Sequence, residues 1–194
     1  MADTTTVNLN YGSYRAANMS PGYSFRSLGF SFTHLAGDTL GFLVQAHPFW
    51  GTGMKIPGEQ VLPLSLSGLK FFGVNSLLGL GIDLNFGSFG VLLGGGGFSA
   101  VSFLGAEDLS GLLTIAGFGF GGSALAYFHL SDALILNVAI GYGWTPWNYS
   151  FYPDQSPYYL EKFHTTNFTI SAGIGWRSGN PSGQGSNQTS KEDW

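Results

Sequence analysis

Ala133–Trp144 reads ALILNVAIGYGW. Its even positions carry Leu134, Leu136, Val138, Ile140, Tyr142 and Trp144; its odd positions carry Ile135, Asn137, Ala139, Gly141 and Gly143. A period of two belongs to an extended strand, whose side chains point alternately to opposite sides. The apolar face ends in two aromatics. Such rings suit a boundary between hydrocarbon and water, because part of each ring prefers either side. One strand of this kind would also fit a soluble sandwich. Here the pattern recurs along nearly the whole chain.

Working outward, seven more stretches alternate. Thr5–Tyr14 sets Val7, Leu9 and Tyr11 against Asn8, Asn10 and Gly12. Tyr23–Leu35 carries Phe25 in one phase and Leu28, Phe30 and Phe32 in the other, which predicts a β-bulge near Arg26-Ser27. Thr39–Trp50, Leu69–Phe86, Phe89–Phe103, Gly111–Leu130 and Phe163–Arg177 complete the set. Even-numbered residues are expected to face outward on 39–50, 69–86, 111–130, 133–147 and 163–177, with Leu136 and Ile140 at mid-membrane depth. Tight connections at 36–38, 87–88 and 131–132 alternate with longer ones at 15–22, 51–67, 104–110 and 148–162.

Composition explains what such strands face. Only 9% of the 194 residues are charged, while 44% are hydrophobic. A soluble domain carries about 25% charged residues, so most of this surface meets something other than water. The net charge of −4 and the scattered Lys and Arg do not suggest a nucleic-acid surface, and no nucleic-acid partner is expected. The opening MADTTTVNLN lacks a basic and then apolar leader, so it reads as a mature chain. Phe86–Ala106 and Leu109–Phe128 are long enough for membrane helices, but their glycines cost about 0.8–1 kcal/mol each in a helix. Lipid cannot satisfy an open strand edge, so the sheet must close. The expected fold is all-β: a transmembrane, eight-stranded, antiparallel up-and-down barrel over residues 1–177, with a polar tail at 178–194.

Even strand number, short turns at one end and longer loops at the other resemble the small bacterial outer-membrane barrels of the OmpA, OmpX and OmpW types. The closing FTISAGIGW (168–176) resembles the C-terminal assembly signal of that class, although the chain continues into its tail. The resemblance implies a location in the bacterial outer membrane with the lipid bilayer as partner. The oligomeric state is not encoded in any motif.

Few residues carry chemistry. Gly117–Gly122 matches GxGxxG, but no helix pattern follows, so a dinucleotide site is not expected. His34, His47, His129 and His164 lack metal-ligand spacing, and the chain has no Cys, so neither a metal nor another cofactor is expected. His164 and Thr166, with Glu161 nearby, resemble the display of outer-membrane lipid A deacylases, with Thr in place of Ser. Plain strand residues are the preferred reading, and the chain is not expected to be an enzyme. Tyr149, Phe151, Tyr152, Tyr158 and Tyr159 read as a boundary cluster in one outer loop. Asn148-Tyr-Ser150 and Asn167-Phe-Thr169 match glycosylation sequons by coincidence.

The inner face is the informative one. It holds many glycines, the apolar Leu43, Leu77, Leu92, Phe98, Ile115 and Leu125, and Tyr127. Asp83 is inward near the turn end, with Tyr127, His129 and Arg177 as candidate partners. Either large side chains fill the space the glycines leave, or a narrow apolar lumen remains. The second reading makes those seven residues a binding surface for a small hydrophobic ligand, detergent or lipid, passively transported, as the OmpW resemblance implies. The rivals are a structural or surface-interaction barrel with a packed interior, and a lipid-modifying enzyme.

Overall fold

A computed structural model describes residues 3–17, 24–55, 61–64, 68–106, 112–151 and 163–178. The strands are β1 (Asp3–Ala17), β2 (Ser24–Ala36), β3 (Leu40–Lys55), β4 (Leu62–Pro63), β5 (Leu69–Asn85), β6 (Phe89–Ala106), β7 (Leu113–His129), β8 (Leu134–Phe151) and β9 (His164–Ser178). β4 is a two-residue addition on the loop end of β3. The other eight form a ring in the order β2-β1-β9-β8-β7-β6-β5-β3, closed by pairing of β2 with β3. Every pairing is antiparallel. This is the closed eight-stranded barrel expected from the alternation. No helix among the described residues is long and apolar enough to cross a membrane, and both candidate helical stretches lie largely in β6 and β7. The proposed tail beyond Ser178 lies outside the described residues, as does part of each long loop.

The tight turns fall where expected. Gly87 has φ +90°, a conformation that costs a side-chain-bearing residue, and its N–H donates to Asn85 Oδ1 at 2.9 Å. The outer surface is a continuous apolar band. Leu9, Leu80, Val138, Ile140 and Ile170 all point away from the barrel and are exposed, the pattern of strands that face hydrocarbon.

Three details differ from the sequence expectation. The bulge near Arg26-Ser27 is on the partner strand. Ser27 pairs with Gly51 and Arg26 with Gly53, so Thr52 of β3 is the extra residue and β2 alternates without a break. On β8, Phe118 pairs with Trp147 but Phe120 with Trp144, which inserts an extra residue around Thr145-Pro146. The outward phase therefore changes: Trp147, Tyr149 and Phe151 face out, and what read as loop from 148 continues as strand to 151. Finally, Leu136 pairs with Phe128 beside the turn-end aromatics, so it stands nearer the turn rim than Ile140, which pairs with Ala124, and the two are not level.

The inward glycines accommodate large neighbours. A Cβ at Gly143 would overlap the Phe98 ring, and one at Gly94 would overlap Leu43. Gly97 faces outward with only a carbonyl nearby, at 3.8 Å. Gly143→Ala is expected to cost about 1–3 kcal/mol as overpacking, whereas Gly97→Ala is expected to stay within about 0.5 kcal/mol. Urea unfolding midpoints in detergent measure both.

Candidate functional site

The interior is layered. At the turn end sits a charged knot. Asp83 on β5 is buried, and Tyr127 on β7 donates to its Oδ1 at 2.6 Å. Arg177 on β9 approaches Oδ2 at 3.2 Å and donates to the Tyr127 hydroxyl at 2.8 Å. Thr4 on β1 also donates to Oδ2, at 3.2 Å. A carboxylate this deep requires such partners. Asp83 thus meets two of its three candidate partners. The third, His129, instead packs edge-on against Tyr127 with ring centroids 5.4 Å apart.

Toward mid-barrel lies an apolar layer of Leu35, Leu43, Leu77, Leu92, Phe98, Ala100, Leu125, Tyr127 and Ile135. Six of the seven sequence-predicted lumen residues, Leu43, Leu77, Leu92, Phe98, Leu125 and Tyr127, fall in it together. Ile115 lies apart, in a second apolar cluster at the loop end with Tyr14, Ala16, Phe25, Phe49, Met54, Leu64, Phe71 and Phe163. There Phe25 stacks on Phe71, with centroids 4.2 Å apart.

A polar belt separates the two clusters. Gln45 Nε2 on β3 donates to Thr33 at 3.2 Å and reaches Ser123 on β7 at 2.8 Å. Ser31 donates to Asn10 Oδ1 at 2.9 Å, and the Asn10 amide lies 3.2 Å from His47 Nδ1. Asn75 on β5 and Asn167 on β9 approach to 3.5 Å. The belt contains two small cavities, of about 20 and 10 Å³, both walled by His47, Asn75, Asn167 and Thr169. Space of that size holds one or two waters. Asn75 Oδ1 and Asn167 Nδ2 have no hydrogen-bond partner among the described residues, so the belt offers polar groups to such waters. Sequence reading missed the belt. Its signal was an inward polar residue midway along several strands: Asn10, Gln45, His47, Asn75 and Asn167.

The ring order gives these contacts their meaning. β5 and β9 are four strands apart in either direction. Asp83–Arg177 and Asn75–Asn167 therefore span the full diameter at two heights. Large side chains occupy the space the glycines leave.

Elsewhere, His164 and Thr166 share one side of β9, while Glu161 lies outside the described residues. Gly117–Gly122 lies within β7, without a following helix. Tyr149 and Phe151 are on β8; Tyr152, Tyr158 and Tyr159 lie outside the described residues. Asn148 is buried, and its amide donates to the carbonyls of Thr145 at 2.7 Å and Phe163 at 2.8 Å. Thr145 and Thr165 share a further side-chain hydrogen bond. Among the described residues no group of three or more His, Cys, Asp or Glu could hold a metal.

The outer-membrane protein OprG of Pseudomonas aeruginosa superposes with a TM-score of 0.60 at 15% identity, covering 91% of this chain and 95% of that one. By fold, this chain is similar to the small bacterial outer-membrane β-barrels. The outer-membrane protein AlkL superposes with a TM-score of 0.54 at 14% identity, over 95% and 93% of the two chains. Neisserial surface protein A gives 0.50 at 13% identity, over 89% and 96%. No family model and no curated protein matches the sequence.

Proposed function

We propose that this protein is an integral barrel of the bacterial outer membrane with a packed, non-conducting interior, acting through its outer end and its lipid-facing wall. The observation that carries this reading is the pair of contacts across the full diameter, Asp83–Arg177 and Asn75–Asn167. An eight-stranded barrel is just wide enough for side chains to fill. A solute passing along the axis would have to part a buried ion pair, an apolar layer and the belt in turn. The test is conductance of the purified barrel in a planar bilayer. No stable current steps are expected. Reproducible steps that survive Asn167→Leu would overturn the reading.

A second reading is favoured by the uncharged, aromatic loop-end cluster of Tyr14, Phe25, Phe49, Phe71, Ile115 and Phe163. In it, a small hydrophobic molecule enters from the outer end and displaces side chains toward Leu43, Leu77, Leu92, Phe98, Ile115, Leu125 and Tyr127. Gly141 is the position to block, because a Cβ there meets only the Thr169 hydroxyl. Saturable binding of a naphthylamine dye by the wild type, weakened by Gly141→Leu, would support it. No saturable binding by the wild type would end it. Both readings are non-enzymatic.

A further inference from the structure

The outer apolar surface is much taller on one wall than on the other. On β8 it runs from Leu136 through Ile140, Trp144 and Trp147 to Phe151. On β5 it runs from Phe86 to Phe72, with the first charge at Lys70, and on β6 from Phe89 to Phe103. Phe72 and Phe103 stack across their strands, with centroids 5.1 Å apart. Phe120 and Trp147 meet edge-on at 6.1 Å, as do Phe118 and Tyr149 at 6.5 Å. At about 2.5 Å of axial height per residue of tilted strand, these runs reach roughly 33–40 Å above the turns.

The opposite wall stops sooner. On β1 the exposed apolar run ends at Tyr11, followed outward by Ser13 and Arg15. On β2 it ends at Leu28, followed by Arg26, and on β9 at Phe168, followed by Thr166 and His164. The same conversion gives about 20–25 Å there, close to the apolar band of a typical barrel. Arg15 and Arg26 are exposed and point outward. They mark where hydrocarbon must end on this wall, while uncharged aromatics occupy the same height on the other.

We propose that the upper part of the β5–β8 wall is a lipid-binding surface, so that the hydrocarbon boundary crosses the barrel obliquely. The occupant is the acyl and headgroup region of the outer leaflet. Three observations favour lipid over a second copy or another protein. The surface is continuous with the band that already faces lipid. It carries no charge below Lys70. Its Trp and Tyr residues are the types that settle at a bilayer interface. A hydrophobic surface taller than the local bilayer is met by leaning of the protein or by local thickening of the lipid. Either response brings chains against Trp147 and Tyr149, while headgroup phosphate and water stay with Arg15 and Arg26.

The chain has no cysteine, so single introduced cysteines can be spin-labelled without background. Trp147→Cys and Ser24→Cys place labels at similar heights on opposite walls. In lipid vesicles, collision rates with oxygen and with a water-soluble nickel chelate report the depth of each label. The Trp147→Cys label should be several-fold more accessible to oxygen than to nickel, and the Ser24→Cys label should show the reverse. Nickel access equal at both sites would overturn the proposal. So would a Trp147→Cys label shielded from both reagents with dipolar broadening, which would identify a second copy instead. If Trp147→Cys does not fold, Tyr149→Cys gives the same readout.

Discussion

Arg177→Met is expected to lower the unfolding free energy by about 3–5 kcal/mol, the cost of stranding one member of a buried ion pair. Asp83 is 4% exposed and sits inside the barrel on β5, diametrically opposite β9. Without the guanidinium it keeps Tyr127 and Thr4 as donors but loses the cation that pairs with it. Tyr127 also loses the donor at its own oxygen. The reverse substitution should cost less. Asp83→Asn leaves Arg177, which lies one residue from the end of β9 and can turn toward water at the turn rim. The double variant Asp83→Leu/Arg177→Met should recover much of the loss, because removing both charges avoids the desolvation that each imposes. Urea titrations in detergent or short-chain lipid, followed by Trp emission and by heat-modifiable gel mobility, read all four proteins. Equal, small losses in both single variants would mean that the pair does not close the turn end.

The fold was legible because lipid and interior impose opposite demands on successive residues. Leu136, Val138 and Ile140 could face only hydrocarbon, and Asn137 only the inside. Where the reading failed, the cause lay on another strand. A bulge is a property of pairing, so the extra Thr52 in β3 left its trace opposite Arg26-Ser27 of β2. The phase change after Thr145-Pro146 is of the same kind: carried along at fixed parity, Trp147 fell in the inward phase, and Tyr149 and Phe151 read as loop. The Asp83 knot was accessible because an inward carboxylate needs a partner and few candidates exist at its level. The belt was not. Asn75 and Asn167 are far apart in sequence, and only the relative tilt and stagger of β5 and β9 bring them together. Inner-face glycines were ambiguous for a related reason. Whether Gly143 leaves a void or receives Phe98 depends on which side chain stands opposite, and the strand alone does not contain that information.

Ile140→Arg is expected to cost about 2–4 kcal/mol, the range for a cation on the lipid face at the bilayer midplane. Ile140 is 52% exposed and faces outward between Ala124 of β7 and Ile170 of β9, its cross-strand partners. Its cross-strand partners Ala124 and Ile170 offer no acceptor, and beyond the Tyr142 hydroxyl two residues along, the side chain would have to reach several residues along β8 to find headgroups. Leu136→Arg should cost only about 0–1 kcal/mol, because near the interface the penalty falls away. That residue pairs with Phe128 near the turn end, where a long side chain reaches water. Asn137 is adjacent in sequence but 2% exposed and inward. Asn137→Arg would press a charge into the interior beside Tyr127, its cross-strand partner, so its penalty comes from packing and from burying a charge inside the barrel and should not depend on bilayer thickness. Refolding into lipids of increasing chain length separates the two mechanisms. The Ile140→Arg penalty should grow as the hydrocarbon thickens, and the Asn137→Arg penalty should stay constant. A cost for Ile140→Arg that ignores chain length would contradict the assignment of this wall to lipid.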